Sequence, residues 1–152
     1  MASKKRKILA VSSGGGHWIE LLRLRPAFAG HDVEYVTVRD DYRDDVSGHT
    51  LHKVNDATSW NYFGTALLLV RTAIVVLKVR PDIVVSTGAA PGYFAIRFGK
   101  LIGARTIWVD SLANVNQMSR AGQMVGKHAD LWLTQWPNLA APRGPEYSGQ
   151  VL

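Results

Sequence analysis

The residues best suited to chemistry stand in two short loops rich in glycine. In the first, Ser13 is followed by Gly14, Gly15 and Gly16, and then by His17. Glycine lets backbone N–H groups approach an anion closely, and the N-terminus of a helix adds positive potential. The loop therefore predicts a cradle for phosphate or substrate. The simpler alternative is a tight turn that opens a helix.

His17 stands where a general base could act. The positive end of a helix favours the neutral imidazole, which can take up a proton near pH 7. An ordinary exposed histidine at a helix start is the alternative. The other histidines have no metal-ligand spacing, and the chain has no cysteine. Zinc-thiolate sites, iron–sulfur clusters, disulfides and thiol nucleophiles are therefore excluded, and no metal site is predicted.

The second loop begins with Thr87 and Gly88 and reaches Gly92 just before a helical pattern. It is a second potential anion site. Neither loop fits a standard nucleotide motif: Ile19 stands where the dinucleotide pattern needs its third glycine, and the Gly-Lys-Ser/Thr of a P-loop is absent. Two such loops at one end of a sheet could hold a diphosphate from both sides.

Polar side chains follow two further apolar runs. Asp110 and Ser111 come directly after one run, and Asn114 lies close behind. The carboxylate could be catalytic, or it could cap a helix or hold a loop, and Ser111 and Asn114 are equally suited to capping. Gln135 and Trp136 follow the last run, where packing at a chain turn is favoured over a ligand site.

The apolar runs that precede these loops predict strands of a parallel sheet. They are apolar throughout rather than alternating, which indicates a sheet covered on both faces by helices. The predicted fold is a Rossmann-like α/β domain, with ligands at the carboxyl ends of its strands. Strands are predicted at 8–11, 33–38, 83–85, 106–109 and 131–134, and the ligand loops at 12–16, 86–92, 110–116 and 135–138.

Helical spacing predicts four helices between these strands. They cover residues 17 to about 30, 60–79, 93–101 and about 119–128, the second one ending before Pro81. Residues 39–52 are expected to be irregular. The whole of 1–152 is predicted to be one domain, with a basic tail over 1–6 and an extended strap over 137–152.

The net charge of +6 is compatible with three kinds of partner: nucleic acid, an anionic membrane and phosphorylated ligands. The basic residues are too scattered for nucleic acid, and no nucleic-acid motif occurs. The apolar run Ile8–Val11 behind Lys4–Lys7 is too short for an export signal, so a cytoplasmic location is expected.

The longest apolar segment starts at Trp60 and could touch a membrane. Trp60, Tyr62 and Phe63 suit a lipid interface, and Arg71 lies further along. The segment is too short for a span and carries a charge. A core helix of the sheet is the favoured interpretation, with membrane contact at its start as a compatible addition.

Taken in order along the chain, these motifs resemble one family. They are Ser13–His17, Thr87–Gly92, Val109–Ser111, Ala129–Asp130 and Gln135–Pro137. The sequence resembles the acceptor-side, membrane-associated subunit of the split dolichol-pathway N-acetylglucosaminyltransferase and its bacterial PssD-type relatives in exopolysaccharide synthesis. More distantly it is similar to the N-terminal half of MurG. The resemblance covers nearly the whole chain.

This resemblance implies half of a GT-B glycosyltransferase. The chain would bind a polyprenyl-diphosphate-linked acceptor, and a separate small subunit would bind the UDP-sugar, with no cofactor held tightly here. Transfer would invert the anomeric centre, with His17 or Asp110 as the base and the other orienting or polarising the acceptor. Acceptor or phosphate binding is expected at Gly14, Gly15, Gly16, Thr87, Gly88, Gly92, Ser111 and Asn114, and the partner or donor interface at Gln135 and Trp136.

The chain also departs from that family at two points. Eukaryotic members carry an N-terminal membrane anchor, whereas Lys4–Lys7 alone precede the first strand here. Membrane contact, on the inner face of the cytoplasmic membrane, would then rest on basic residues and the 60–79 segment. Asp110 stands where relatives carry glutamate. The alternatives are a non-catalytic membrane scaffold that recruits a transferase subunit and a stand-alone phosphate- or dinucleotide-binding domain.

Overall fold

A seven-stranded sheet forms the centre of the computed structural model, which describes residues 4–58 and 60–151. Every strand pair is parallel, in the order β3-β2-β1-β4-β5-β6-β7. The Rossmann-like α/β prediction is confirmed. The strands are β1 Lys7–Val11, β2 Asp32–Thr37, β3 Leu51–Lys53, β4 Ile83–Ser86, β5 Arg105–Val109, β6 Leu131–Thr134 and β7 Glu146–Tyr147.

Four α-helices and several 3₁₀ turns cover the two faces of this sheet. Strand residues alternate between the faces, so that Leu9 and Val11 pack on one side and Ile8 and Ala10 on the other. The side of Leu9 is covered by α2, α3 and α4, and the side of Ile8 by α1. The helices are α1 Gly16–Arg23, α2 Tyr62–Val79, α3 Ala89–Leu101 and α4 Arg120–Val125.

The first helix is shorter than the sequence predicts, and a strand was missed after it. Instead of continuing to residue 30, α1 ends at Arg23 and a 3₁₀ turn follows at Arg25–Phe28, because Pro26 cannot continue an α-helix. The segment predicted as irregular holds a 3₁₀ turn, Asp40–Val46, and β3. A three-residue edge strand is too short to leave a periodic signal.

Two later predictions also need correction. Helix α3 starts at Ala89 rather than at 93, since the proline at 91 is tolerated within a first turn, and α4 ends at Val125 rather than near 128. The predicted strap over 137–152 contains a 3₁₀ turn and β7, which pairs with β6. The segment is therefore the edge of the sheet, and not only an extended strap.

Helix α3 lies unusually close to β4. A Cβ at Gly92 would collide with Ser86 Oγ, and one at Gly99 would stand 2.6 Å from Val84 Cγ2. Glycine at these positions lets the helix backbone approach the strand. This contact fixes the start of α3 against the carboxyl end of β4.

Helix α2 packs on the sheet through one narrow stripe, and its opposite side is apolar and exposed. The interpretation as a core helix is thus only half correct. By length and composition the 18-residue helix could cross a membrane, with a mean hydropathy of 1.7, so the prediction that the segment is too short for a span is corrected. Only 28% of the helix is buried. The buried stripe is Gly64, Leu68, Thr72, Val76 and Val79. The opposite side, called here the outer stripe, is Phe63, Ala66, Val70, Ile74 and Leu77.

Candidate functional site

The two glycine loops meet at the centre of the sheet. They follow β1 and β4, which are adjacent in the sheet although 71 residues lie between Val11 at the end of β1 and Ile83 at the start of β4. The strand order reverses at this point, and the loops diverge to opposite faces, which opens a crevice at the carboxyl ends. His17 Nδ1 lies 3.1 Å from the carbonyl oxygen of Thr87, and Thr87 Oγ1 donates to the carbonyl of His17 at 2.6 Å.

These contacts set the orientation and tautomer of the imidazole. A carbonyl oxygen can only accept, so Nδ1 of His17 is assigned the proton that it donates to Thr87. In the neutral ring, Nε2 is then the acceptor. Gly88 packs directly against the ring. A Cβ at this position would lie only 2.5 Å from Nδ1, so only glycine leaves room for the imidazole. The geometry suits a histidine that takes up a proton at Nε2.

Gly88→Ala should therefore displace the His17 ring. The new methyl group overlaps the imidazole, and the φ of +147° at this position is one that side chains rarely adopt. We expect unfolding free energy to fall by about 1–3 kcal/mol, measured by urea denaturation. The imidazole ¹⁵N resonances should move at the same time. Gly16→Ala is the matched control, since a Cβ there meets nothing within 4 Å. Equal stability of both variants would contradict this packing.

Both helices that open at the crevice lack a side-chain N-cap. Helix α1 starts behind Gly15 and α3 behind Gly88, and neither residue can supply a cap. In contrast, α2 is capped by Asn61 and α4 by Ser119. The first-turn N–H groups of a helix need acceptors from outside the helix. The two uncapped helix starts can therefore receive an anion, as the sequence predicts for these loops.

The first glycine loop is covered on one side by residues that the sequence did not point to. The amide of Gly15 donates to Tyr42 Oη at 2.9 Å. The Tyr42 ring stacks on the buried Trp18 at 4.9 Å, and Arg39 lies over its other face at 5.1 Å. The hydrogen bond from Arg39 lowers the pKa of Asp41 below its ordinary value, so this carboxylate stays charged. An ion pair between Arg39 and Asp41 and the phenol of Tyr42 thus stand beside the loop.

Asp110 is almost completely buried and accepts four hydrogen bonds. Its carboxylate receives Trp108 Nε1 at 3.0 Å, Asn114 Nδ2 at 3.0 Å, and both the amide and hydroxyl of Ser119 at 2.9 and 2.5 Å. Ser111 Oγ accepts from the amide of Ala113 at 3.2 Å. This geometry matches the loop-holding alternative for Asp110. Ser111 accepts a backbone amide within its own turn and Asn114 donates to Asp110, whereas the residue that caps the following helix is Ser119.

Glu20 is a buried carboxylate that the sequence interpretation missed. Its Oε1 accepts from the amide of Leu112 at 2.7 Å and from Gln135 Nε2 at 2.8 Å, while Oε2 has no partner among the described residues. Gln135 also donates to the carbonyl of Asp110 and accepts from the amide of Val151. The sequence feature that could have pointed to Glu20 is its spacing, because it lies one helical turn beyond His17 on α1.

Gln135 and Trp136 act together on the loop that follows β5. Gln135 is 1% exposed, and Trp136 Nε1 donates to the carbonyl of Leu112 at 2.7 Å. Leu112 is therefore held from both sides, by Glu20 and by Trp136. These contacts fit the packing alternative, and they join the last segment of the chain to the candidate site.

The residues predicted to touch a membrane lie at the same edge of the sheet as the crevice. Helix α2 leads back to the start of β4, so its own start lies at the carboxyl edge of the strands. Trp60 is 88% exposed, Tyr62 83% and Phe63 80%. Arg71 is exposed halfway along the helix. The predicted membrane residues therefore form one continuous surface with the outer stripe of α2.

Comparison with known proteins gives a family match. The chain matches the family model described as "Oligosaccharide biosynthesis protein Alg14 like" over residues 49–151. This range contains the second glycine loop, Asp110 and Gln135, but not His17. The protein named UDP-N-acetylglucosamine transferase subunit ALG14 is 29% identical in Yarrowia lipolytica, over all of this chain and 70% of that protein. The rat protein of the same name is 23% identical over 87% of this chain and 76% of its own length.

Solved structures agree on the fold. MurG from Acinetobacter baumannii superposes with a TM-score of 0.73 at 11% identity, covering 93% of this chain and 47% of MurG. A UDP-N-acetylglucosamine 2-epimerase gives a TM-score of 0.65 at 17% identity, covering 88% of this chain and 42% of the epimerase. The chain thus spans less than half the length of these two proteins and shares the fold of the part that it matches.

Proposed function

The chain belongs to the Alg14-like family of oligosaccharide biosynthesis proteins, and on that premise we propose that it is the acceptor-binding half of a two-component glycosyltransferase. The reaction moves a sugar from a UDP-sugar to a hydroxyl of a polyprenyl-diphosphate-linked saccharide, with inversion. A separate small subunit binds the donor. The relatives are named as a subunit of a UDP-N-acetylglucosamine transferase, which supports this division.

One observation carries the proposal: two uncapped helix starts converge on one crevice with a fixed histidine between them. The N-termini of α1 and α3 hold the acceptor diphosphate through backbone N–H groups. Thr87 joins the two loops through both of its contacts with His17. The acceptor hydroxyl then reaches the imidazole while the lipid-linked end stays in the cradle.

The transfer step uses His17 as the general base. As the acceptor oxygen forms its bond to C1 of the donor sugar, Nε2 takes the hydroxyl proton, and the bond from C1 to the UDP oxygen breaks. The UDP leaves on the side of the donor subunit. The Thr87 carbonyl keeps Nδ1–H in place and stabilises the imidazolium that forms. Asp110 holds the loop of Ser111 and Asn114 in position.

The direct experiment is to purify the chain from its native cells in mild detergent and identify what accompanies it. We expect one small stoichiometric protein with a Rossmann-like sequence pattern. Sugar transfer to a polyprenyl-diphosphate acceptor should require both proteins. A chain that is purified alone from cells shown to contain it, or a partner that transfers sugar equally well without it, would overturn the proposal.

The outer stripe of α2 supports a membrane-docking surface as part of the same proposal. Five apolar side chains are exposed along it, and Arg71 and Lys78 lie beside it. Such an apolar face with basic residues at its border is typical of helices that lie in the interface of an anionic membrane. The cytoplasmic leaflet carries this charge. Docking there would bring the crevice at the start of α2 close to a lipid-linked acceptor.

Ile74→Ser should weaken binding to anionic vesicles about tenfold, because the side chain would otherwise enter the apolar layer. Ile74 is 57% exposed, so unfolding free energy should change by less than about 0.5 kcal/mol. Co-sedimentation measures the effect, and binding should also fall steeply with salt. Ile19→Ser, at a position 51% exposed on α1, is the control. Equal loss in both variants would place the membrane contact elsewhere.

A further inference from the structure

A groove at the opposite edge of the sheet gathers three arginines. It runs along the amino ends of β1, β4 and β5 and has a volume of about 450 Å³. We call it the basal groove, and its lining includes Arg6, Leu77, Arg80, Asp82, Ile102 and Arg105. It lies at the far end of the strands from His17. Nothing in the proposed transfer reaction uses it.

The arginines of the basal groove are not neutralised by neighbours. Among the residues that the structure describes, Arg6, Arg80 and Arg105 form no salt bridge, whereas Lys5, Arg39, Arg43, Lys53 and Lys100 each pair with a carboxylate. Asp82 is the one carboxylate in the groove lining, and its Oδ2 accepts from the amide of Lys7 at 2.8 Å. Three cations in this lining therefore face one carboxylate. The adjoining cavity, which shares Arg6, Asp82 and Arg105, adds Asp130, whose carboxylate is paired with Lys100, so the net charge of the groove stays near +2.

Helix ends explain only part of this charge. Cations are favoured at helix C-termini, and α2 ends beside the groove. However, the carbonyl of Val79 at that end already accepts from Lys7 Nζ at 3.3 Å. Arg6 lies at the start of β1, and Arg105 lies at the start of β5, four residues after α3 ends at Leu101. The groove therefore receives the C-terminal ends of both α2 and α3. Arg80 also has a left-handed backbone with φ 50°, which is uncommon for a residue other than glycine. Each helix end supplies a partial negative charge of about one half, so the net charge of the groove lining is still positive after both ends are counted.

The groove is continuous with the outer stripe of α2. Leu77 belongs to both and is 57% exposed, and Ile102 adds a second exposed apolar wall. A free phosphate would use the arginines and leave this apolar wall in water. A phospholipid has the matching pair of groups, an anionic phosphate and an acyl chain. Arginine is also the side chain best suited to phosphate oxygens, through its fork of donors.

We propose that the basal groove binds the headgroup phosphate of an anionic phospholipid. The arginines hold the phosphate, and the acyl chains lie against Leu77 and Ile102. This inference rests on the proposed membrane docking of α2 and adds a defined lipid site to it. The membrane would then be held at two ends of α2, at Phe63 near the crevice and at the groove near Arg80, so the helix would lie flat on the surface.

The test is an NMR titration of the ¹⁵N-labelled full chain with dihexanoylphosphatidylglycerol below its critical micelle concentration. Saturable shifts of the amides of Arg80, Asp82, Gly103 and Arg105 are expected. Dihexanoylphosphatidylcholine and inorganic phosphate, titrated over the same range, should leave these amides nearly unchanged. Absence of saturable shifts with dihexanoylphosphatidylglycerol would overturn the proposal. Equally tight binding of inorganic phosphate would also overturn it, because the groove would then be a site for free phosphate.

Charge-matched variants separate this site from general attraction to an anionic surface. Arg105→Gln and Arg6→Gln should each weaken the titration about fivefold, which is the effect of one basic contact. Arg143→Gln removes the same charge from an exposed position in the turn before β7 and should leave the affinity unchanged. Equal weakening by Arg143→Gln would contradict a defined site.

The titration does not depend on sugar transfer or on a vesicle. If Ile74→Ser abolishes vesicle binding while the amide shifts persist, the groove and the outer stripe are separate contacts and both proposals hold. If vesicles never bind but the short lipid does, the membrane-docking proposal fails and the lipid site remains. Transfer activity without any lipid shift contradicts only the lipid site.

Discussion

His17→Asn should lower the rate of sugar transfer by about 10²–10⁴-fold, the usual effect of losing a general base. The substitution is chosen because the asparagine amide can still donate to the Thr87 carbonyl, which Nδ1 contacts at 3.1 Å. It removes the imidazole Nε2, which takes the proton in the proposed step. The measurement is single-turnover transfer by the chain reconstituted with its donor-binding partner.

The controls for this experiment keep folding and assembly apart from chemistry. His31→Asn is the matched substitution, since His31 is remote from the crevice and accepts one backbone hydrogen bond, from the amide of Arg6. It should retain full transfer. Binding of the partner should be unchanged in both variants. If His17→Asn transfers sugar at the normal rate while still binding its partner, His17 is not the base. The scaffold alternative is favoured only if a folded Asp110 variant also transfers sugar normally.

Asp110→Ala should be among the most destabilising single changes in the chain. The carboxylate is 1% exposed and accepts from Trp108, Asn114 and Ser119, so its removal leaves the buried indole N–H of Trp108 and the partly buried donors of Asn114 and Ser119 without their acceptor. Each such donor costs about 1–3 kcal/mol. We expect unfolding free energy to fall by about 3–5 kcal/mol and the melting temperature by roughly 6–20 °C. Urea and thermal denaturation measure both.

This prediction also decides between the two interpretations of Asp110. Asp44→Ala, at an exposed position in the 3₁₀ turn Asp40–Val46, is the control and should leave the stability within about 0.5 kcal/mol. A folded Asp110→Ala variant with normal stability but no transfer would contradict the structural role. It would restore Asp110 as the candidate base and leave His17 as the orienting group.

The fold could be predicted because its strands are buried on both faces. Runs such as Ile8–Val11 and Ile83–Val85 are apolar without alternation, which is typical of a central parallel sheet. The positions of the two loops follow directly, since the carboxyl ends of parallel strands lie on one edge. The sequence was therefore sufficient to predict that the loops around His17 and Thr87 lie close together.

The contacts that cover the first loop could not be predicted from the sequence, because they depend on tertiary packing. Tyr42 and Arg39 stand in a polar stretch with no period, and only the tertiary stacking of Tyr42 on Trp18 brings them to Gly15. The buried role of Glu20 was hidden in a similar way, because a glutamate on a helix is usually exposed. Its partners, Leu112 and Gln135, are 92 and 115 residues away along the chain.

The burial of α2 was only half predicted, because composition does not show which side of a helix is covered. Its apolar residues surround the helix almost completely, and this pattern is usual for a fully buried helix. The structure covers only the stripe through Leu68 and Val76. A chain that represents one half of a larger assembly can have such a surface, and pattern reasoning assigns it to the core by default.

The bond between His17 and Thr87 connects residues 70 positions apart, and this separation has a consequence for the order of folding. Local pairing of β1 with β2 can form early, but β1 cannot pair with β4 until the whole of α2 has been synthesised. Such distant parallel pairings form slowly because a long loop must close first. The crevice therefore cannot assemble before the chain has been synthesised past Thr87, well after the first glycine loop has emerged. During synthesis, a partly folded chain has the glycines of the first loop but no competent site.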